Sequence, residues 1–282
     1  MPLTTFHKLL NDAKDRKYAV GSFNAWDMLS ARNIIATAEA MRSPVIISLW
    51  KTELDFAGEK ELFELCISYG RSARVPVIVF LDHAQELEDL KRAISFGATS
   101  VMIDGSHLPI QKNIALTSRA AEIAHHAGIS IEGELGILGE EEGSEPQEDG
   151  FTDVLQAERF VRETGIDALA VAIGNAHGYY RKAPNLDFAR LESIRVRVNI
   201  PLVLHGGSGI PDRDLQRAID MGITKVNIGA EGRTAFVAGL RKALSDMGEN
   251  ERWPHRIFPG ALESHAALLR ERMVCLRSDG KA

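Results

Sequence analysis

Cysteine is scarce: the 282 residues hold two, Cys66 and Cys275, far apart and both in stretches of helical character. They read as reduced thiols of a reducing compartment. A chain this long can bury a core without disulfides or a structural metal. No apolar run approaches the ~20 residues that span a bilayer. The first sixteen residues, MPLTTFHKLLNDAKDR, pattern as an amphipathic helix and lack the apolar stretch of a signal peptide. The expected location is the cytoplasm, with no membrane partner. There is no Lys/Arg run, and the formal net charge is −6, which speaks against a nucleic-acid surface. Also missing is a glycine-rich phosphate loop after the first apolar run, where GSFNAWD stands at 21–27. An open doubly wound sheet, the alternative to a barrel here, usually carries one.

What is present is an alternation. Short runs rich in Val, Ile and Ala occupy 18–23, 44–49, 75–81, 99–103, 129–134, 167–173, 200–205 and 224–228. Near-continuous apolarity marks strands buried on both faces, as in a parallel sheet. Helical periodicity fills the gaps at 31–41, 86–96, 109–126, 156–164 and 212–221, and glycine follows the second, fourth and fifth of these. Eight strand-helix repeats over one domain, 1–282, predict an α/β fold, the (β/α)8 TIM barrel. An N-terminal helix precedes the barrel, and an extra C-terminal helix follows from about Pro259. One stretch breaks the rhythm: GILGEEEGSEPQEDGF at 136–151, after the fifth strand. It is either a solvated acidic loop or a lid, and its place at a strand C-terminus favours the lid.

A barrel of this kind puts its chemistry at the C-terminal ends of the strands. Three of nine histidines, His83, His177 and His205, fall there, with the acids Asp104 and Glu134. Imidazoles and carboxylates sharing one rim suit a catalytic divalent metal better than three unrelated histidines would. HGGSG after the seventh strand and NIGAE after the eighth sit where barrels commonly hold phosphate on backbone N–H groups.

At these positions the chain resembles the class II, metal-dependent ketose-bisphosphate aldolases. The matching pieces are SFN at 22–24, LDH at 81–83, SVMIDGSHLPIQKNI at 100–114, EGELGILG at 132–139, DALAVAIGNAHG at 167–178, PNLDF at 184–188 and PLVLHGGSGIP at 201–211, with GKA at the end. The likeness is greatest to the tagatose-bisphosphate and inositol-catabolic branch. It implies zinc or another divalent ion on His83, His177 and His205, with Glu134 and Asp104 at an alternative or second metal position. A helping monovalent cation stays open. It implies Asp82 as the catalytic acid/base and Glu142, in the acidic loop, as the mobile proton carrier. Gly178, Gly206, Gly207, Ser208, Asn227, Ile228, Gly229 and Ala230 match the dihydroxyacetone phosphate site. The plainer roles are an orienter of His83 for Asp82 and a solvated charge for Glu142. The expected partners are a small sugar phosphate and further copies of the chain, as a homodimer or homotetramer.

Some positions depart from the family. Trp50 and Lys51 follow the second strand where a small or hydroxylated residue is usual; with Asn24 they are candidates for specificity. Phe80 stands in place of a frequent His, Ala84 in place of Gly or His, Glu140 in place of the second glycine of a pair, and Ala230 in place of a phosphate-binding Thr. The expected reaction is cleavage of a ketose 1-phosphate or 1,6-bisphosphate of the tagatose/fructose type, or of 6-phospho-5-dehydro-2-deoxygluconate. A barrel metal hydrolase and a non-catalytic sugar-phosphate binder are the competing readings.

Overall fold

The computed structural model describes residues 3–138, 150–180, 182, 184–247 and 251–282. Eight parallel strands close on themselves in chain order. They are β1 (Val20–Asn24), β2 (Val45–Trp50), β3 (Val77–Ala84), β4 (Ser100–Ile103), β5 (Ser130–Leu135), β6 (Ala168–Val171), β7 (Leu202–Leu204) and β8 (Ile223–Ile228). Each strand answers to one of the eight apolar runs. Helix α1 (Phe6–Arg16) precedes β1. Between the strands run α2 (Met28–Met41), α3 (Lys51–Ala57) and α4 (Glu59–Ser72), α5 (Leu87–Ser95), α6 (Ile110–His126), α7 (Val154–Thr164), α8 (Phe188–Arg197) and α9 (Asp212–Asp220). The chain finishes with α10 (Ala230–Met247) and α11 (Pro254–Cys275).

Two helix starts differ from periodicity by three residues or more, each for a local reason. Helix α2 starts three residues before the expected 31, because Asp27 accepts from the Ser30 backbone N–H while Ser30 Oγ accepts from Asp27 N. Helix α11 starts at Pro254, not near Pro259. Pro254 suits the first helical position, and Pro259 costs only one early backbone bond.

The inside of the barrel is layered. Phe6 and Leu10 of α1 pack with Val20, Ile46, Ile78, Phe80, Met102, Ala168, Ala170 and Val203 in one cluster. The α1 backbone also donates to Ser100 and Ser130, the first residues of β4 and β5. Helix α1 therefore plugs the N-terminal end. Two residues further along the same inward faces the character turns polar: Phe80 gives way to Asp82, Met102 to Asp104, Val203 to His205. A second apolar layer joins the outward strand faces to the surrounding helices. The apolar plug below leaves the polar layer only one way to face, toward the C-terminal rim.

Candidate metal centre and active site

The residues expected at the rim do meet. Asn24, Trp50, Asp82, His83, Asp104, Glu134, His177, Gly178, Gly206, Ser208, Asn227, Gly229 and Ala230 line one cavity of about 550 Å³. Fully buried His205 lies beneath it. Gly207 and Ile228 back the wall: Gly207 N donates to the Asn227 carbonyl, and Ile228 is buried. Lys51 is elsewhere, on the surface, paired with Asp55 at 3.0 Å. Glu142 and Glu140 lie outside the described residues.

Local backbone explains how neighbours in sequence share the rim. On β3 the pairing register with β4 shifts between Leu81 and Ala84, and His83 takes a left-handed φ of 50°. A non-glycine residue pays for that conformation. The irregularity re-aims a side chain, as bulges near active sites do, and Asp82 and His83 both reach the cavity. On β6 and β7 the ladder stops short of the expected 173 and 205. Asn175 takes over: its Oδ1 accepts from Ile173 N, and its Nδ2 donates to the carbonyls of Val171 and His205. That one amide ties the two strand ends that carry His177 and His205.

Donor atoms from His83, His177 and His205 fall within 4.8 Å of one another, and so do those of His83, Asp104 and Glu134. His205 Nδ1 is 2.9 Å from His83 Nε2. Two nitrogens on a tetrahedral ion at 2.0–2.1 Å would sit about 3.4 Å apart, so a few tenths of an ångström of opening suffices. Glu134 Oε2 is buried without a hydrogen-bond partner among the described residues. Four buried acids, Asp82, Asp104, Glu132 and Glu134, share this layer with one buried lysine, Lys225. An orphaned carboxylate oxygen, converging imidazoles and surplus negative charge fit a divalent cation.

The electrostatics sort the side chains into roles. Burial disfavours charge on His83, but Asp82, Asp104 and Glu134 outweigh it and hold its pKa up at about 10. Burial, then the charges of His83 and Lys225, push His205 well below the usual histidine range. Burial and the neighbouring Asp104 raise Glu134 well above the usual carboxylate range. Burial alone would raise Asp82, yet His83, His205 and Lys225 keep it lowered, hence ionised at neutral pH. Asp82 Oδ2 accepts from Ser48 Oγ at 2.8 Å, and both oxygens lie within 3.3 Å of Asn227 Nδ2. His83 Nδ1 is held at 2.9 Å by Asp104, while Asp82 stands 4.0 Å from the ring. Orienting His83 is therefore a task for Asp104 more than for Asp82.

Among the residues here that were not singled out from sequence, Glu132 and Lys225 matter most to the histidines. Glu132 Oε1 is 2.7 Å from His205 Nε2, and Lys225 Nζ donates to both Glu132 oxygens at 2.8 and 3.0 Å. Lys225 also sits 4.2 Å from the centre of the Phe80 ring. The pair fixes the His205 tautomer with Nε2–H toward Glu132 and leaves Nδ1 for the cavity. A signal existed: Glu132 is two residues before Glu134 and Lys225 two before Asn227, so each faces inward with its neighbour. The departure at Phe80 finds its reason here, as the aromatic face under Lys225.

The glycine ring is sterically demanded. Gly206 has φ +62°, and a Cβ there would run into the Ala176 carbonyl. Tyr180 Oη donates to Gly206 O and accepts from Ala176 N, bracing the turn. Ser208 Oγ accepts from Glu231 N in the first turn of α10, so its hydroxyl proton is left for a ligand beside the N-terminus of that helix.

A closed eight-stranded barrel thus carries, at its C-terminal rim, side chains that could hold a metal ion. The model of the class II fructose-bisphosphate aldolases matches residues 4–281, and the chain belongs to that family. It is accordingly a lyase. Solved structures agree. The YdjI aldolase of Escherichia coli K12 is 34% identical over 99% of both chains, with a TM-score of 0.90. A candidate fructose-1,6-bisphosphate aldolase of Coccidioides immitis is 30% identical over 97% of this chain and 96% of that one, with a TM-score of 0.87. The fructose-bisphosphate aldolase of Campylobacter jejuni, 22% identical with a TM-score of 0.83, covers 99% of this chain and 97% of its own and shares the fold. No helix among the described residues is long and apolar enough to cross a membrane.

Proposed function

We propose that the protein reversibly cleaves a ketose 1-phosphate or 1,6-bisphosphate, of the tagatose/fructose type, to dihydroxyacetone phosphate and an aldehyde. The observation that carries this is one cavity lined by Asp82, the donor groups of His83, His177 and Glu134, and the glycine-serine ring of Gly206 and Ser208. His83, His177 and His205 would hold the divalent ion, zinc being the first candidate, with Asp104 and Glu134 as alternative donors. When bound, the ion supplies a Lewis acid for the ketone carbonyl. Asp82 takes the proton of the C4 hydroxyl in cleavage and returns it in condensation. Asn227 and Ser48 fix its direction. Ser208, Gly178, Gly206 and the first turn of α10 at Gly229 and Ala230 receive the phosphate. Ala230 contributes only backbone, so one hydroxyl donor of the family is missing here. Glu142 would carry the proton at the nucleophilic carbon.

Trp50, half-exposed in the same cavity, favours an aldehyde partner other than that of fructose or tagatose bisphosphate. We further propose a cytoplasmic homodimer or homotetramer. Both cysteines are free and buried, which suits a reducing compartment.

The test is coupled detection of dihydroxyacetone phosphate over a panel of ketose phosphates that differ beyond C3. Turnover lost to a chelator, restored by zinc and blocked by a hydroxamate analogue of the dihydroxyacetone phosphate enediolate supports the aldolase. Chelator-sensitive hydrolysis without that block would replace it with a metal hydrolase. Binding without turnover would leave a sugar-phosphate binder.

A further inference from the structure

The turn after β7 that holds the glycine-serine ring is tied to the start of α10 by two reciprocal bonds. Glu231 N donates to Ser208 Oγ at 3.2 Å, and Gly209 N donates to Glu231 Oε1 at 2.8 Å. Ser208 and Ala230, the chain neighbours of Gly209 and Glu231, both line the cavity. The clasp fixes the spacing of the ring, but it also brings a carboxylate to the back of the proposed phosphate site. Like charges repel strongly where water is scarce. The Glu231 side chain is only 11% exposed, so solvent does little to screen it.

The counter-charge comes from outside the barrel. Arg272, in the last turn of α11, places Nε 2.9 Å from Glu231 Oε2. The contact is one of charge, since its angle misses that of a hydrogen bond and neither atom has a hydrogen-bond partner among the described residues. Arg272 Nη1 donates to Asp212 Oδ1 at 2.8 Å, and Asp212 opens α9 at the far end of the same turn. A planar guanidinium can serve two carboxylates at once. This one therefore reaches the segment Ser208–Asp212 at both ends, through Glu231 and through Asp212. Its own side chain is 16% exposed, and it is not among the described residues that line the cavity.

We propose that Arg272 is a positioning residue for phosphate binding. It neutralises Glu231 behind the ring and holds the Ser208–Asp212 turn, so that the dihydroxyacetone phosphate group meets donors without a bare carboxylate behind them. This rests on the aldolase reading and adds a residue that the reading does not contain.

The experiment measures binding to the metal-loaded protein of two probes: the hydroxamate analogue of the dihydroxyacetone phosphate enediolate, and glycolohydroxamate, which lacks the phosphate. The ratio of their Kd values isolates the phosphate. Arg272→Gln should shrink the preference for the phosphorylated probe by about 10-fold, the scale of one uncompensated charge several ångströms away at a protein's effective dielectric. Arg272→Lys should return part of it. Glu231→Gln can still accept from Gly209 N but has lost its charge, so alone it should raise the preference. Added to Arg272→Gln, it should recover most of the loss, a coupling that a packing role would not produce. Bound zinc, read by elemental analysis, should be the same in every variant. An unchanged preference in Arg272→Gln overturns the inference, as does a double variant no better than Arg272→Gln, or a loss of zinc. If Arg272→Gln does not fold, Glu231→Gln decides: a preference equal to or below that of wild type overturns the inference. A wild type with no preference for the phosphorylated probe is a separate result, since it removes the phosphate site of the aldolase reading and this inference with it.

Discussion

The two halves of the rim are built to different standards. Around the three histidines the side chains are buried and tightly held: Asp104 on His83 at 2.9 Å, Glu132 on His205 at 2.7 Å, Lys225, from β8, on Glu132 at 2.8 Å. At the outer edge of the rim, between the first turn of α10, the end of β1 and α3, the contacts are long. Asn24 and Arg233 each reach Glu53 at 3.4 Å, and the Trp50 side chain is partly in solvent. Metal chemistry needs ligands held within fractions of an ångström, and a buried charge left unpaired is costly. Recognition of a variable aldehyde tolerates looser packing. On the proposed function, the first half would set the reaction type and the second the choice of substrate.

The largest expected effect breaks the metal half outright. His205→Ala should lose the bound divalent ion, read by elemental analysis, and turnover with it. Arg233→Gln should keep its metal. If His205→Ala retained both metal and activity, the ligand assignment would be wrong and the two halves would not divide as argued.

The next effect is in the loose half and concerns stability. Burial raises the Glu53 pKa from 4.5 to about 7, with the nearby Arg233 opposing. A carboxyl with a raised folded-state pKa favours the fold while protonated. That contribution is complete below 4.5 and is lost as pH rises through about 7. Relative to Glu53→Gln, which stays neutral, wild type should therefore lose about 3 kcal/mol of unfolding free energy between pH 4.5 and 8. Denaturant titrations of both proteins at several pH values read the difference directly. A flat difference would mean that Glu53 is ionised and well compensated, which would erase the contrast in support quality.

Smaller still is the change at the brace of the tight half. Glu132→Gln keeps the shape beside His205 but removes the charge that holds its tautomer. Such outer partners typically set metal affinity by about 10- to 100-fold. The change also leaves Lys225 buried without its counter-charge, which costs stability; calorimetric titration of zinc into the folded, metal-free variant should show a loss of that order. Unchanged affinity would reduce the Glu132–Lys225 pair to barrel packing.

The same division governs what could be read from the chain. The barrel was legible because parallel strands buried on both faces leave continuous apolar runs, such as the one at 167–173. Its ends were less so, since a side chain decides them: Asn175 ends β6 and β7, and Asp27 starts α2 early. His83, His177 and His205 were legible because strand ends all face one rim. Glu132 and Lys225 meet only through barrel closure, 93 residues apart, and a lysine among apolar neighbours looks like a strand edge until the sheet has none. Arg233 and Glu53, 180 residues apart, sit on helices, where periodicity speaks of the packed face and not of the end that overhangs the rim.

The smallest expected effect concerns Lys51, the neighbour of Trp50 and by sequence an equal candidate for specificity. The strand-to-helix junction separates them. Trp50 ends β2 in register with Asp82 and lines the cavity, while Lys51 opens α3 and pairs with Asp55. The side chains of that pair are 71% and 65% exposed, so solvent screens it and it contributes no more than about 0.5 kcal/mol. Lys51→Ala should alter kcat/KM over the ketose phosphate panel by less than about twofold, because a charge turned into water is screened within a Debye length. A large loss would place Lys51 at the far end of the substrate. The loose half of the rim would then extend beyond β2 onto the face of α3.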